Sequence, residues 1–278
     1  MGNDLSRKNR PKFSNPPVVE VVAIAQFSEL NEKAFFLNVG KLWDKLGKES
    51  FPYLEYKNKA PSLSHESGGV HLELIKGESD FQFPRIWLES EDKGFVMQIQ
   101  SDRLSLSWRE LDRESLSSYS SYERVWASFS NSMRQLSAFA EEHCGSALEV
   151  NFLHLAYINV IPFSDFGGAE NIHKCIPSVS SENIPSYLGT SEAINFLWDI
   201  PIKQNGSRFK IQGVTGADNN TGDRLLRLDL LQRGVVGISL DEEFAAMQSW
   251  FDEAHLNIVN TFQDVTSDYM HKEKWGIE

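Results

Sequence analysis

Seven histidines and two cysteines stand among 39 acidic side chains in 278 residues, so acid–base or thiol chemistry has its raw materials. Their spacing rarely brings them together. His143 and Cys144 are adjacent, the pair that a thiolate nucleophile and its base would need, but sequence neighbours on a helix point apart, and a helix end is the better reading. His71 and Glu73 share a strand face, without the Pro-Cys-x-x-Cys of zinc deaminases. His154 shares a strand face with apolar residues and reads as a hydrogen-bonded core histidine. His255 borders the apolar stripe of the last helix, where a buried, satisfied ring outweighs a partner contact.

The short motifs resolve in the same way. "DFGG" at 165–168 comes without the catalytic loop or glycine-rich lid of a kinase, and reads as a turn. "DNNTGD" at 218–223 offers oxygen ligands. Its glycine is misplaced for a calcium loop, and Asp229 stands where the closing glutamate is needed, so a hairpin is expected. No nucleophile elbow, phosphate-cradling glycine loop or GxGxxG occurs. Paired carboxylates are too common in so acidic a chain to single any out. Catalysis has no positive support, and no metal or cofactor is expected. A hydrolase-like enzyme working with carboxylates or histidines in a sheet-lined cavity is the alternative.

The net charge of −12, from 27 basic against 39 acidic residues, repels phosphates over most of the surface, so direct nucleic-acid binding is not expected. The largest basic cluster, Arg7, Lys8, Arg10 and Lys12, sits in a segment (1–14) that reads as a flexible tail. No apolar run approaches the ~20 residues of a membrane span, and no secretory core follows the basic start. With only Cys144 and Cys175, a disulfide framework is ruled out, and a cytoplasmic location is expected.

The elements that must position any site follow from periodicity. In "NPPVVEVVAIAQF" (15–27) the odd positions Val19 to Phe27 are all apolar, while Glu20 and Gln26 mark a mixed face, which is a strand with one side in the core. "NEKAFFLNVGKLWDKLG" has the spacing of one helix, with Phe35, Phe36, Val39, Leu42, Trp43 and Leu46 on a stripe. Short alternating segments follow at 70–75, 85–90, 94–100 and 103–108, then a helix on the stripe Tyr122, Val125, Trp126, Phe129, Met133, Leu136 and Ala140. The second half repeats this plan. A long strand spans 147–161, a loop-rich region 162–190, strands 193–203, 207–214 and 224–232, and a final helix begins at Asp241.

The expected fold is therefore α+β: duplicated strand–helix–antiparallel sheet–long helix units, at 15–145 and 146–278, packed as one globular body. Helices lie on one sheet face, as in saddle or helix-grip folds. The other face is solvated, lines a cavity or meets a partner. Alternation places Glu20, Gln98 and Arg103 of the first half on it. From the second half it adds Glu149, Asn151, Tyr157, Asn159, Arg227 and Asp229, with Leu153 and Leu155 interspersed. Polar groups among aromatic ones suit a protein contact or a small-ligand pocket. The final amphipathic helix could also build a homodimer.

"NPPVVEVV" (15–22), "LAYIN" (155–159), "HLNIVNTF" (255–262) and "HKEKWG" (271–276) resemble, over nearly the whole chain, a sporadically distributed prokaryotic family of uncharacterised proteins. These open with an Asn-x-Pro-hydrophobic-hydrophobic-Glu strand and end on a helix carrying His, then Phe, then Trp-Gly. The resemblance implies a fold and a setting near antiviral defence or toxin–antitoxin genes, with no catalytic residues to transfer. The expected function is a non-enzymatic binding protein, a sensor or accessory subunit of such a system.

Overall fold

The computed structural model describes residues 12–59, 83–110, 121–179, 192–203, 205–218 and 221–277. The segment 70–75 with His71 and Glu73, and Arg7, Lys8 and Arg10, lie outside these residues.

Strand β1 (Val18–Phe27) forms as its alternation dictates. Val21, Ala23, Ala25 and Phe27 are buried at 2% exposure or less, and Glu20, Val22, Ile24 and Gln26 turn the other way. Asn31 opens α1 (Glu32–Leu37) by accepting the Ala34 N–H at 3.0 Å. The stretch read as one helix is two, because α2 (Val39–Leu46) restarts after Asn38. The Asn38 side chain donates to the Ala34 carbonyl at 2.9 Å, a local bond that competes with helix continuation. A meander follows: β2 (Tyr53–Lys57), β3 (Arg85–Glu89), β4 (Phe95–Gln100) and β5 (Arg103–Arg109). Helix α3 (Tyr122–Phe139) runs into one π turn at Ala140–Cys144, closed by Gly145 at φ +70°.

The second half contributes β6 (Glu149–Pro162), β7 (Asn195–Pro201), β8 (Arg208–Ala217) and β9 (Arg224–Ser239), then α4 (Leu240–Val265) and α5 (Asp268–Glu273). Between β6 and β7, "DFGG" is a turn: Gly167 and Gly168 adopt φ +88° and +101°, and both N–H groups donate to the Phe163 carbonyl. The described strands make one open antiparallel sheet of nine, in the order β2-β3-β4-β5-β1-β6-β9-β8-β7. The fold is mixed α+β. Helices α3 and α4 lie across its inner face, meeting each other through Phe129 and Phe251, whose ring centroids are 5.1 Å apart.

One irregularity decides which residues share a face. On β6 the pairing with β1 shifts between Val150, opposite Phe27, and Phe152, opposite Gln26; the pairing with β9 shifts at the same point. Asn151 is the extra residue of a β-bulge, and one extra residue inverts every side chain beyond it. Tyr157 pairs with Val21 and Leu155 with Ala23, on the inner face, while His154 and Ala156 pair with Ile24 and Val22 on the outer. The expectation that Leu153, Leu155, Tyr157 and Asn159 share the face of Glu20 is corrected: they lie under the helices. Phe152, Ala156, Ile158 and Val160, read as core, stand on the outer side.

Phe13 and Ser14 fall within the segment read as a flexible tail, yet they are tied down. Phe13 bridges to Ile277 and packs against Phe262, His271 and Trp275, and the Ser14 and Asn15 N–H groups donate to Gly276 and Trp275 carbonyls at 3.0 Å. At the far edge, Gly213 on β8 pairs with Phe196 on β7, and a Cβ there would overlap the phenyl ring. Gly213→Ala is expected to cost about 1–3 kcal/mol by displacing that ring, measurable as a lower urea midpoint at unchanged slope. An unchanged midpoint would mean that the β7 edge does not hold this packing.

Candidate functional site

The outer face carries most of the sheet's charge. Across β2 to β5 and β1 it presents Lys57, Arg85, Arg103 and Arg109 with Glu20, Glu55 and Glu89. Across β9, β8 and β7 it presents Arg227, Arg233, Arg208 and Lys210 with Asp229 and Asp199. Among the described residues, cations therefore outnumber carboxylates on this face of a chain whose net charge is −12.

Three of the residues expected to form a site, Glu20, Gln98 and Arg103, come together here. They line a polar cavity of about 260 Å³, with Arg85, Gln100, Ser105 and Ser107 around it and Val22 and Ile24 as its apolar floor. The strands position each group by register: Gln98 is opposite Ser105, and Gln100 opposite Arg103. Glu20 accepts from Arg109 Nε at 3.0 Å, so its charge is already matched. Arg85 donates through Nη1 to Gln98 Oε1 at 2.6 Å, while its buried Nε has no hydrogen-bond partner. Arg103 donates to Gln26 Oε1 at 3.3 Å. Burial lowers the Arg103 pKa; Asp102 opposes this, and the nearby Arg85 guanidinium adds to it. On the same face, opposite Gln98, the Trp87 ring is a platform with Lys57 Nζ at 3.7 Å from its centroid and the Arg85 and Arg109 guanidinium groups at 5.7 and 5.4 Å.

The second half of the outer face is built differently. Asp199 is approached by Arg208 at 2.7 Å, Lys210 at 3.2 Å and Arg233 at 4.0 Å. Burial would raise its pKa, but the bonds from Arg208 and Lys210 outweigh that and hold it low. Beside this cluster stands His154, whose Nδ1 is shut off from solvent and has no partner. Burial, reinforced by Arg233, Arg103 and Lys210, pushes its pKa down to about 4. His154 is thus a neutral ring among cations rather than a hydrogen-bonded core residue. This grouping was missed, although the alternating Arg208, Lys210 and Gln212 offered a signal for it.

The remaining expected residues scatter. Arg227 and Asp229 are on the outer face but satisfy each other, with Arg227 Nε 2.8 and 3.0 Å from the two carboxylate oxygens; that bond raises the Arg227 pKa. Glu149 and Asn151 are exposed at the start of β6. Glu149 lies opposite Ser239, and Arg227 opposite Val160, so the two are far apart along the β6–β9 pairing.

Tyr157 and Asn159 line a second, mostly apolar cavity of about 380 Å³ on the inner face, between β6, β9, α4 and the Pro16–Pro17 approach to β1. There the Tyr157 hydroxyl is 2.8 Å from His255 Nδ1. Tyr122 stacks on His255 at 4.1 Å and donates to Asp252 at 2.8 Å. His255 is the buried, satisfied ring that its place beside the apolar stripe predicts, but periodicity gave no hint of its partners Tyr157 and Tyr122.

His143 and Cys144 close the π turn, and burial raises the Cys144 pKa, opposite to what a thiolate nucleophile needs. Among the described residues, no group of three or more His, Cys, Asp or Glu could hold a metal ion. No described helix is long and apolar enough to cross a membrane. No protein-family model matches the sequence, and no curated protein matches it significantly.

Proposed function

We propose that the chain is a non-enzymatic binding protein that takes a small phosphate- or carboxylate-bearing ligand in the polar cavity of its outer sheet face. One observation carries this reading. Arg85 and Arg103 bring two guanidinium groups to a cavity whose one glutamate is engaged by Arg109. Planar guanidinium forks recognise carboxylate and phosphate oxygens, and Gln98, Gln100 and the serine hydroxyls would orient the rest of the ligand. A sensor or accessory role in a bacterial defence system is what the family resemblance adds to this, and a cytoplasmic location is proposed from the scarcity of cysteines.

We also propose that the two halves descend from one duplicated strand–helix–sheet–long helix unit of helix-grip type, dividing near residue 145. What supports it is the mirrored strand order: β1-β5-β4-β3 runs outward from the centre on one side, β6-β9-β8-β7 on the other. A long helix follows the last strand of each half, α3 after β5 and α4 after β9.

Inorganic pyrophosphate and citrate, titrated calorimetrically at low salt, test the binding reading. Charged hydrogen bonds contribute about 1.5–3 kcal/mol each, so Arg85→Gln and Arg103→Gln are each expected to weaken the better of the two ligands at least about tenfold. Their melting temperatures should stay close to wild type. Failure of both anions to bind saturably, or unchanged affinity in both variants, would overturn the proposal.

A further inference from the structure

The inner-face cavity is separate from the polar one, with the sheet between them, and it has the make-up of a ligand site. Its walls are Pro17, Leu230, Ile258, Val259 and Phe262, and its volume of about 380 Å³ falls in the range of small-molecule pockets. Its end is fixed by Phe13, which is held against Phe262 and Trp275 by the clasp of the two terminal segments.

Asn159 brings an amide acceptor to this mostly apolar wall. Asn159 is 3% exposed, and its amide nitrogen faces two backbone carbonyls, Leu228 at 3.0 Å and Tyr157 at 3.5 Å. That pairing fixes the amide orientation, since a flipped amide would set oxygen against oxygen. Asn159 Oδ1 accepts no hydrogen bond from any described residue. This oxygen is not sealed from solvent, so it stands open to a donor from a ligand in the cavity. The neighbouring Tyr157 hydroxyl is held 2.8 Å from His255 Nδ1, which keeps the polar end of the cavity rigid.

We infer that this inner cavity is a second binding site, for an uncharged apolar ring compound that donates one N–H or O–H to Asn159 Oδ1. The apolar walls take the ring by desolvation, and the amide acceptor selects for the donor. Among the described residues, Lys12 is the one lysine, arginine or carboxylate side chain lining the cavity, so a neutral ligand fits better than an ionic one.

Indole and 1-methylindole, in which a methyl group replaces the N–H donor, are the probes. Titrated into the protein and followed by ligand-observed NMR and calorimetry, indole is expected to bind saturably with Kd on the order of 0.1–1 mM, as a nine-atom fragment can. 1-Methylindole should bind about 3- to 10-fold more weakly. Asn159→Leu should remove the difference between the two probes, and Val259→Phe, which fills the cavity from a half-buried position, should abolish both. A lack of saturable indole binding, equal binding of the two probes by the wild type, or unchanged affinity in Val259→Phe would each overturn the inference. Pyrophosphate or citrate binding on the outer face should be the same in Val259→Phe as in the wild type. This control also shows that the variant is folded.

Discussion

Phe251→Ala is expected to destabilise the protein by about 3–5 kcal/mol, the cost of deleting a fully buried phenyl ring and leaving a hole that neighbours fill only in part. Phe251 is 0% exposed on α4, and its ring lies 5.1 Å from Phe129, 5.3 Å from Trp126 and 5.2 Å from Trp250. Phe129 and Trp126 belong to α3, so the contact is where the long helices of the two halves meet. Interiors are close-packed, and backbone anchored in a nine-stranded sheet has little freedom to collapse inward. Equilibrium urea unfolding supplies the measurement. A companion cycle with Phe129→Ala should show a coupling of about 0.5–1.5 kcal/mol, as for aromatic pairs. If Phe251→Ala costs less than about 1 kcal/mol, the helices do not close over the sheet as described.

The second large effect concerns acid. A histidine that titrates at about 4 in the folded protein and near 6.5 when unfolded binds its proton first in the unfolded chain as pH falls. The unfolded state then holds more protons than the native state between those values, so stability rises with pH through this window. His154 therefore contributes its full share of stability above about pH 6.5 and loses it progressively as pH drops towards 4. A shift of this size corresponds to about 3 kcal/mol over the window. In His154→Leu that portion of the acid limb should vanish, while the losses due to carboxylates remain common to both proteins. Stability measured at steps from pH 7 to 4 decides it. Parallel wild-type and variant curves would show that His154 titrates normally, and that Arg233, Arg103 and Lys210 do not crowd it.

Much of the architecture was legible because it rests on periodicity. The odd-position run of β1 and the stripes of α3 and α4 are enforced by burial alone, and burial leaves a trace in every residue. The polar cavity was legible for the same reason: Glu20, Gln98 and Arg103 lie on regular strands where alternation holds. β6 was not legible, because a bulge at Asn151 carries no compositional mark and its effect is a reversal of everything after it. Tyr157 and Asn159 went to the wrong face on that account, and His154 was read as core. β2 went unseen because "YLEYK" at the sheet edge exposes most of its side chains, so neither burial nor alternation is strong there. The break at Asn38 was invisible because both helices keep their apolar residues in phase across it.

The placement of β1 has a consequence for how the molecule is made. It is synthesised before β2, β3, β4, β5 and α3, yet it ends beside β6, which follows all of them. Until then a nascent first half presents β1 as a bare rim of unpaired amides beside a greasy underside, the kind of edge that recruits strangers. Assembly must wait for a long-range pairing, and the interval before it is when a chaperone would matter most.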